Sequence, residues 1–211
     1  MPIYKLDENL IMFPDPSLAR EDGLLAIGGD LSVERLQLAY AHGIFPWYME
    51  GEPILWWCPK ERYIIRPENI HISHSMRKFM KKHNVEILFN RDFRDTMHKC
   101  RMKRVDDTWI TDEMEEAYNR LHKEGLAASV EAVIDGQIAG GLYGVVSGNV
   151  FCGESMYTEI ENGSKLALIG LAQFLEENGF VAIDCQFHTD HLESMGGETV
   201  SYEEYMQLVD L

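Results

Sequence analysis

The stretch SVEAVIDGQIAGGLYGVVSGNVFCGESMY, from Ser129 to Tyr157, decides the fold. Asp135-Gly136 sits between two runs of β-branched and small residues, and this pair favours the positive φ angles of a type I′ turn. SVEAVI and QIAGGLYGVV therefore read as a hairpin. Gly148-Asn149 then turns the chain into a third antiparallel strand, VFCGESMY. Downstream, Leu166, Leu168, Ile169, Leu171, Ala172 and Leu175 give an apolar face to a helix from Ser164 to Glu177, closed by Gly179. A buried strand, VAIDCQF, follows. Three antiparallel strands, a helix and one more strand predict an α/β (α+β) domain.

Upstream of this core the signals are shorter. DGLLAIGGDLS (Asp22–Ser32) reads as a glycine-rich loop that opens a helix capped by Ser32 and ended by Gly43. No Gly-Lys-Ser/Thr follows, so it is not a P-loop. ILWW and RYIIR read as strands, SHSMRKFMKKH (Ser73–His83) as a basic helix and VEILF as a strand. Asp92–Arg101 and Asp112–Glu124 read as helices, the second stopped by Gly125. A domain boundary is expected between a small aromatic unit, residues 1–63, and the α/β domain, residues 64–211.

The aromatic unit is defined by GIFPWYMEGEPILWW, Gly43 to Trp57, which holds three of the four tryptophans. Such a cluster serves either as a core hairpin or as a wall on which a base or an apolar group stacks. Charge separates these readings. The chain carries −16 overall, yet residues 71–104 hold ten bases against three acids, a net of +7. A basic island in an acidic chain is the footprint of a phosphate backbone. The acidic remainder suits a cationic second partner.

No run of about 18 apolar residues marks a membrane span. The start, MPIYKLDENL, lacks a signal-peptide pattern. Cys58, Cys100, Cys152 and Cys185 lie too far apart for a zinc motif or a disulfide framework. A cytoplasmic monomer without metal or other cofactor is expected.

Taken in order, DGLLAIGGDLS, AYAHGIFPWY, PILWWCP, HISHSMRKF, TWIT, AYNRLHKEGLAASVE, GGLYGV, FCGESMY and IDCQ with TDHLESMGG resemble the bacterial leucyl/phenylalanyl-tRNA–protein transferases. The resemblance runs from about residue 13 to 197, and the order GIFPW, PILWW, GESM, DCQ is its specific part. The strand–helix order is similar to the acetyltransferase-like (GNAT) fold, a fold-level analogy that settles no function. The resemblance implies an aminoacyltransferase. It would move leucine, phenylalanine or methionine from charged tRNA to proteins beginning with Arg or Lys, marking them for degradation as N-degrons.

The resemblance also implies roles for single residues. Asp184 and Gln186, two apart and so on one face of the predicted strand, would stand at the reacting centre, Gln186 holding the acceptor amine and Asp184 polarising Gln186 or taking up the amine proton through it. Glu154 would pair with the acceptor's cationic side chain. Leu142, Phe151, Met156, Leu168 and Ile183 would form an apolar slot for the aminoacyl side chain. Trp47, Trp109 and Tyr40 would contact the terminal adenosine or the aminoacyl group. On the basic helix, Arg77, Lys78, Lys81 and Lys82 form one stripe, which we expect to hold tRNA phosphates. Three positions depart from the family pattern by lacking an expected arginine, namely His74, Glu159 and Tyr202, which predicts altered tRNA contacts.

Three rival readings are weaker. An acyl-CoA acetyltransferase needs a glycine-rich turn before the helix, where TEIENGSK instead places Glu159 and Glu161. A non-catalytic module for basic N-termini would not need the basic helix or the aromatic cluster. A metal hydrolase could be imagined from Asp184, His188 and His191, but His188 and His191 lie three apart in a probable loop and no third ligand joins that pair with motif spacing. Gly153-Glu154-Ser155-Met156 also lacks the second glycine of a nucleophile elbow.

Overall fold

The computed structural model describes residues 3–103 and 108–210. Arg104, the last residue of the basic island, lies outside them.

The hairpin forms as its turn demands. β7 (Ala127–Ile134) and β8 (Gln137–Ser147) are joined by Asp135 at φ 50° and Gly136 at φ 83°. β9 (Val150–Thr158) pairs antiparallel with β8. α5 (Gly163–Glu177) then crosses over, and β10 (Ala182–Asp184) returns parallel to β9 with Ile183 opposite Phe151. This is the order expected of an acetyltransferase-like core. The helix sits tightly on the sheet: a Cβ at Gly163 would lie 1.9 Å from the Ala139 carbonyl oxygen, so only glycine fits there.

Around this core, β6 (Val85–Phe89) extends the sheet beside β7, while β5 (Glu61–Ile65) and β11 (Glu198–Ser201) extend it beyond β10. The result is a mixed seven-stranded sheet. α3 (Phe93–Met102) and α4 (Asp112–Lys123) cover one face, and α5 the other. α2 (His74–Lys82) starts at a Ser73 cap, buries Met76, and leaves Arg77, Lys78, Lys81 and Lys82 in solvent. A short α6 (Asp190–Ser194) and the final α7 (Tyr202–Val209) complete the chain.

The N-terminal unit holds β1 (Tyr4–Leu6), β2 (Leu24–Gly28), α1 (Val33–Ala41), β3 (Phe45–Pro46) and β4 (Leu55–Trp57), with a four-stranded sheet in the order β1-β2-β4-β3. Here one expectation is corrected. Asp22–Ser32 is not loop throughout, because Leu24–Gly28 is a strand. Leu24, Leu25 and Ala26 are buried between β1 and β4, and that burial outweighs the loop preference of the glycines. The glycines act one step later, where Gly28 and Gly29 turn the chain at φ 81° and 74°.

The position between residues 63 and 64 falls inside β5. Trp56 and Tyr40 of the N-terminal unit share one apolar cluster with Tyr118, Tyr143 and Tyr205 of the rest. The four cysteines are free thiols. Among the described residues no helix is long and apolar enough to cross a membrane.

Candidate active site

A cavity of about 530 Å³ opens where β3, the middle of β9, the end of β10, α5 and α6 meet. Eight residues singled out from sequence line it: Trp47, Trp109, Leu142, Glu154, Met156, Leu168, Ile183 and Gln186. Three others do not. Phe151 is buried beneath the wall beside Ile183, in the space left by the missing side chain of Gly144. Tyr40 and Asp184 stand behind the wall, each bonded to chain that does reach the cavity.

Glu154 owes its aim to a β-bulge. Gly144 pairs with Gly153 and Tyr143 with Ser155, so Glu154 has no partner opposite it. Bulges of this kind redirect a side chain next to a site. Its carboxyl end accepts hydrogen bonds from Tyr40 (2.7 Å) and Tyr118 (3.4 Å), whose hydroxyls lie 2.5 Å apart. The three side chains come from α1, α4 and β9. Burial pushes the Glu154 pKa from 4.5 up to about 8; the Tyr40 bond opposes this and the Asp184 charge adds to it. At pH 7 the group is therefore mostly protonated until a cation arrives.

The expectation that Asp184 and Gln186 share a strand face is corrected. β10 ends at Asp184, and Gln186 has φ 58°, a left-handed conformation that costs a non-glycine residue about 1–2 kcal/mol. The Asp184 carboxylate offsets this cost, since its Oδ1 accepts the Gln186 backbone N–H at 2.8 Å in a tight Asx turn. The turn swings Gln186 into the cavity wall, and its Nε2 is buried without a hydrogen-bond partner among the described residues. Asp184 itself is fully buried and bidentate with Arg62, at 3.2 Å and 2.6 Å.

The aromatic wall is only part of the sequence cluster. Trp56 is core, donating its indole N–H to the Gly28 carbonyl. Trp47 is 42% exposed and lies 5.8 Å from Phe187 and 5.6 Å from Trp57. Phe45, Trp47 and Phe187 together face the cavity.

Sequence reasoning missed Arg62, Tyr118 and Phe187, and weighed Ser155 only as a nucleophile without its elbow. Ser155 lines the cavity with a buried hydroxyl that has no partner among the described residues. Phe187 has a weak signal, an aromatic one residue after Gln186 in a predicted strand that was assigned no site role.

α2 presents its four cations without a carboxylate partner among the described residues, unlike Lys99, Arg101 and Lys103, which pair with Asp95, Asp112 and Glu159. Of the departures, Glu159 is thus matched locally, Tyr202 donates to the His42 carbonyl (3.0 Å), and His74 is exposed at the first turn of α2. Asp184 does not join His188 and His191 as a metal set, being committed to Arg62. His188, Asp190 and Glu193 do bring one ligand atom each within 4.8 Å, but all are exposed and His188 is already bonded to Glu193.

Comparison with known proteins matches this arrangement to a family. The sequence profile described as leucyl/phenylalanyl-tRNA protein transferase covers residues 64–210, and the profile of that family's N-terminal domain covers residues 29–60. The chain is 53% identical to the leucyl/phenylalanyl-tRNA–protein transferase of Desulfatibacillum aliphaticivorans, over 94% of this chain and 86% of that protein. It is 49% identical to the one from Syntrophobacter fumaroxidans, over 99% and 90%. It is 47% identical to the one from Flavobacterium johnsoniae, over 98% and 99%. On both profiles and on near full-length identity to these relatives, the chain belongs to the leucyl/phenylalanyl-tRNA–protein transferase family.

Proposed function

We propose that this protein transfers leucine, phenylalanine or methionine from aminoacyl-tRNA to the N-terminal Arg or Lys of acceptor proteins, so marking them as N-degrons. The observation that carries this reading is the cavity: an apolar slot beside an exposed tryptophan, with the Glu154 carboxyl and the Gln186 amide in one wall. The reaction needs little more. The acceptor α-amine attacks the ester carbonyl, a C–N bond forms, the C–O bond to the ribose breaks, and the amine proton goes to the ribose oxygen. An α-amine has a pKa of about 7.7–8.0, so a useful fraction is neutral at pH 7. Positioning alone supplies roughly 7–11 kcal/mol of such a barrier.

Leu142, Met156, Leu168 and Ile183 hold the aminoacyl side chain, with Phe151 buttressing Ile183 from beneath. Trp47 and Trp109 flank the adenosine. Gln186 holds the attacking amine, and Tyr40 acts through Glu154 rather than on the substrate. Glu154 ionises when the acceptor's guanidinium or ammonium enters. The division at residues 63 and 64, the monomeric state and the cytoplasmic setting belong to this reading.

Titration with non-hydrolysable leucyl- and isoleucyl-adenosine tests the slot. Leucyl-adenosine is expected to bind, and the Cβ branch of isoleucine to be excluded. Trp47→Ala should weaken leucyl-adenosine by roughly 1–3 kcal/mol, the worth of one stacked base, with little change in stability. Equal affinity for both analogues, or no effect of Trp47, would remove the slot assignment.

The stripe on α2 has its own test. Four phosphate contacts predict a slope of roughly −3 to −4 in log K against log salt. Lys81→Ala should reduce the slope by about one and leave leucyl-adenosine binding unchanged. A flat salt dependence would place the tRNA elsewhere.

A further inference from the structure

We infer that Arg62 is the positioning residue of this site, because one buried guanidinium fixes both the carboxylate that holds Gln186 and the segment that carries the aromatic wall. The inference rests on the proposed transfer reaction and adds a residue that touches neither substrate.

Arg62 lies on β5 and is 1% exposed. Its Nε and Nη2 donate to the two Asp184 oxygens, and its Nη1 donates to the Gly43 carbonyl at 2.6 Å. That carbonyl belongs to the turn after α1, two residues before Phe45. The guanidinium also packs against two aromatic rings, its central carbon 5.0 Å from the centre of the Phe45 ring and 4.5 Å from that of Tyr205. Phe45 in turn meets Phe187 at 5.8 Å, and both face the cavity.

Each contact ends at a part of the site. Asp184 ends at the Gln186 N–H, and Gly43 and Phe45 end at the aromatic wall. The fork geometry is what joins them, since a lysine ammonium is a compact point charge that does not reproduce the planar bidentate bond to Asp184 together with the bond to Gly43 and the contact with two rings. A buried pair is weak evidence for stability in its own right. Here the pair sits directly behind a residue in a left-handed conformation, which persists only when its surroundings over-determine it. A merely structural pair has no reason to converge on that residue.

Arg62→Lys tests the inference. Transfer to an Arg-initiated peptide is measured beside wild type at a temperature where both are fully folded. The expected result is a kcat at least 100-fold lower, with KM for aminoacyl-tRNA changed less than threefold. The backbone amide resonance of Gln186 should also move, while those of Asn119 and Asn178, remote from Arg62, stay in place. A kcat per folded molecule within threefold of wild type, or an unmoved Gln186 amide, overturns the inference. If wild type itself transfers nothing, the reaction is misassigned, and the amide resonance still decides what Arg62 positions. Should Arg62→Lys fail to fold, Tyr205→Leu keeps the ion pair but removes one of the two rings. It is expected to lower kcat about tenfold and shift the same resonance, and no change in either overturns the inference.

Discussion

Replacing Glu154 with glutamine is expected to cripple use of the acceptor while making the protein more stable at alkaline pH. The two effects share a cause. The Glu154 carboxyl is enclosed by Tyr40 and Tyr118, and its pKa is raised from 4.5 to about 8, chiefly by burial. Between those values the folded state holds a proton that the unfolded chain has released. The wild type therefore loses stability as pH rises from 4.5 to 8 and loses no more from this group above 8. Glutamine removes that loss, so the variant should gain in melting temperature over wild type at pH 8.5 and show no such gain near pH 4.5. The cost falls on function. Loss of a buried charge partner for the acceptor costs roughly 2–4 kcal/mol, about 30- to 1,000-fold in kcat/KM for an Arg-initiated peptide. Leucyl-adenosine affinity should not change. Propylguanidine, whose charge does not titrate in this range, isolates the step: its inhibition should tighten as pH rises through 8 in wild type and stay flat in the variant. Equal loss for both substrates would remove Glu154 from acceptor recognition.

Asp184→Ala carries the second large effect, on stability and activity together. It leaves the Arg62 guanidinium buried without its carboxylate and frees the Gln186 N–H. Breaking a buried pair from one side costs about 3–5 kcal/mol, a large share of the stability of any single domain. Denaturant midpoints should fall accordingly, and transfer should drop at least 100-fold in the fraction that remains folded. Asp184→Asn can still accept the Gln186 N–H and should lie between alanine and wild type in both measurements. An alanine variant that is as stable and as active as wild type would remove Asp184 from the account.

These residues also mark where the sequence could be read and where it could not. Asp135-Gly136 and the Ser32 cap are local signals whose physics needs only neighbours along the chain, and both elements form where they predict. The helix ends at Gly43, Gly125 and Gly179 are legible for the same reason, each glycine taking the positive φ just past its helix. The LLAIG strand was hidden because its pairing partners, β1 and β4, are remote in sequence. Glu154 was recognisable as a site residue, but its bulge depends on a register shift against β8 that no motif records. Gln186 was recognisable too, whereas its left-handed turn follows from the Asp184 carboxylate, which a strand pattern conceals. Arg62 had one faint trace. It alternates with the buried Ile64 on one face of RYIIR, a position where a charge needs a partner. That partner lies 122 residues away along the chain.

The most direct test of the central claim is transfer of radiolabelled leucine from leucyl-tRNA to a peptide beginning with Arg, against the same peptide beginning with Ala. Label is expected on the Arg peptide alone, abolished by free leucyl-adenosine analogue in excess. Salt-sensitive tRNA binding without transfer to the Arg peptide, or equal labelling of both peptides, would contradict it.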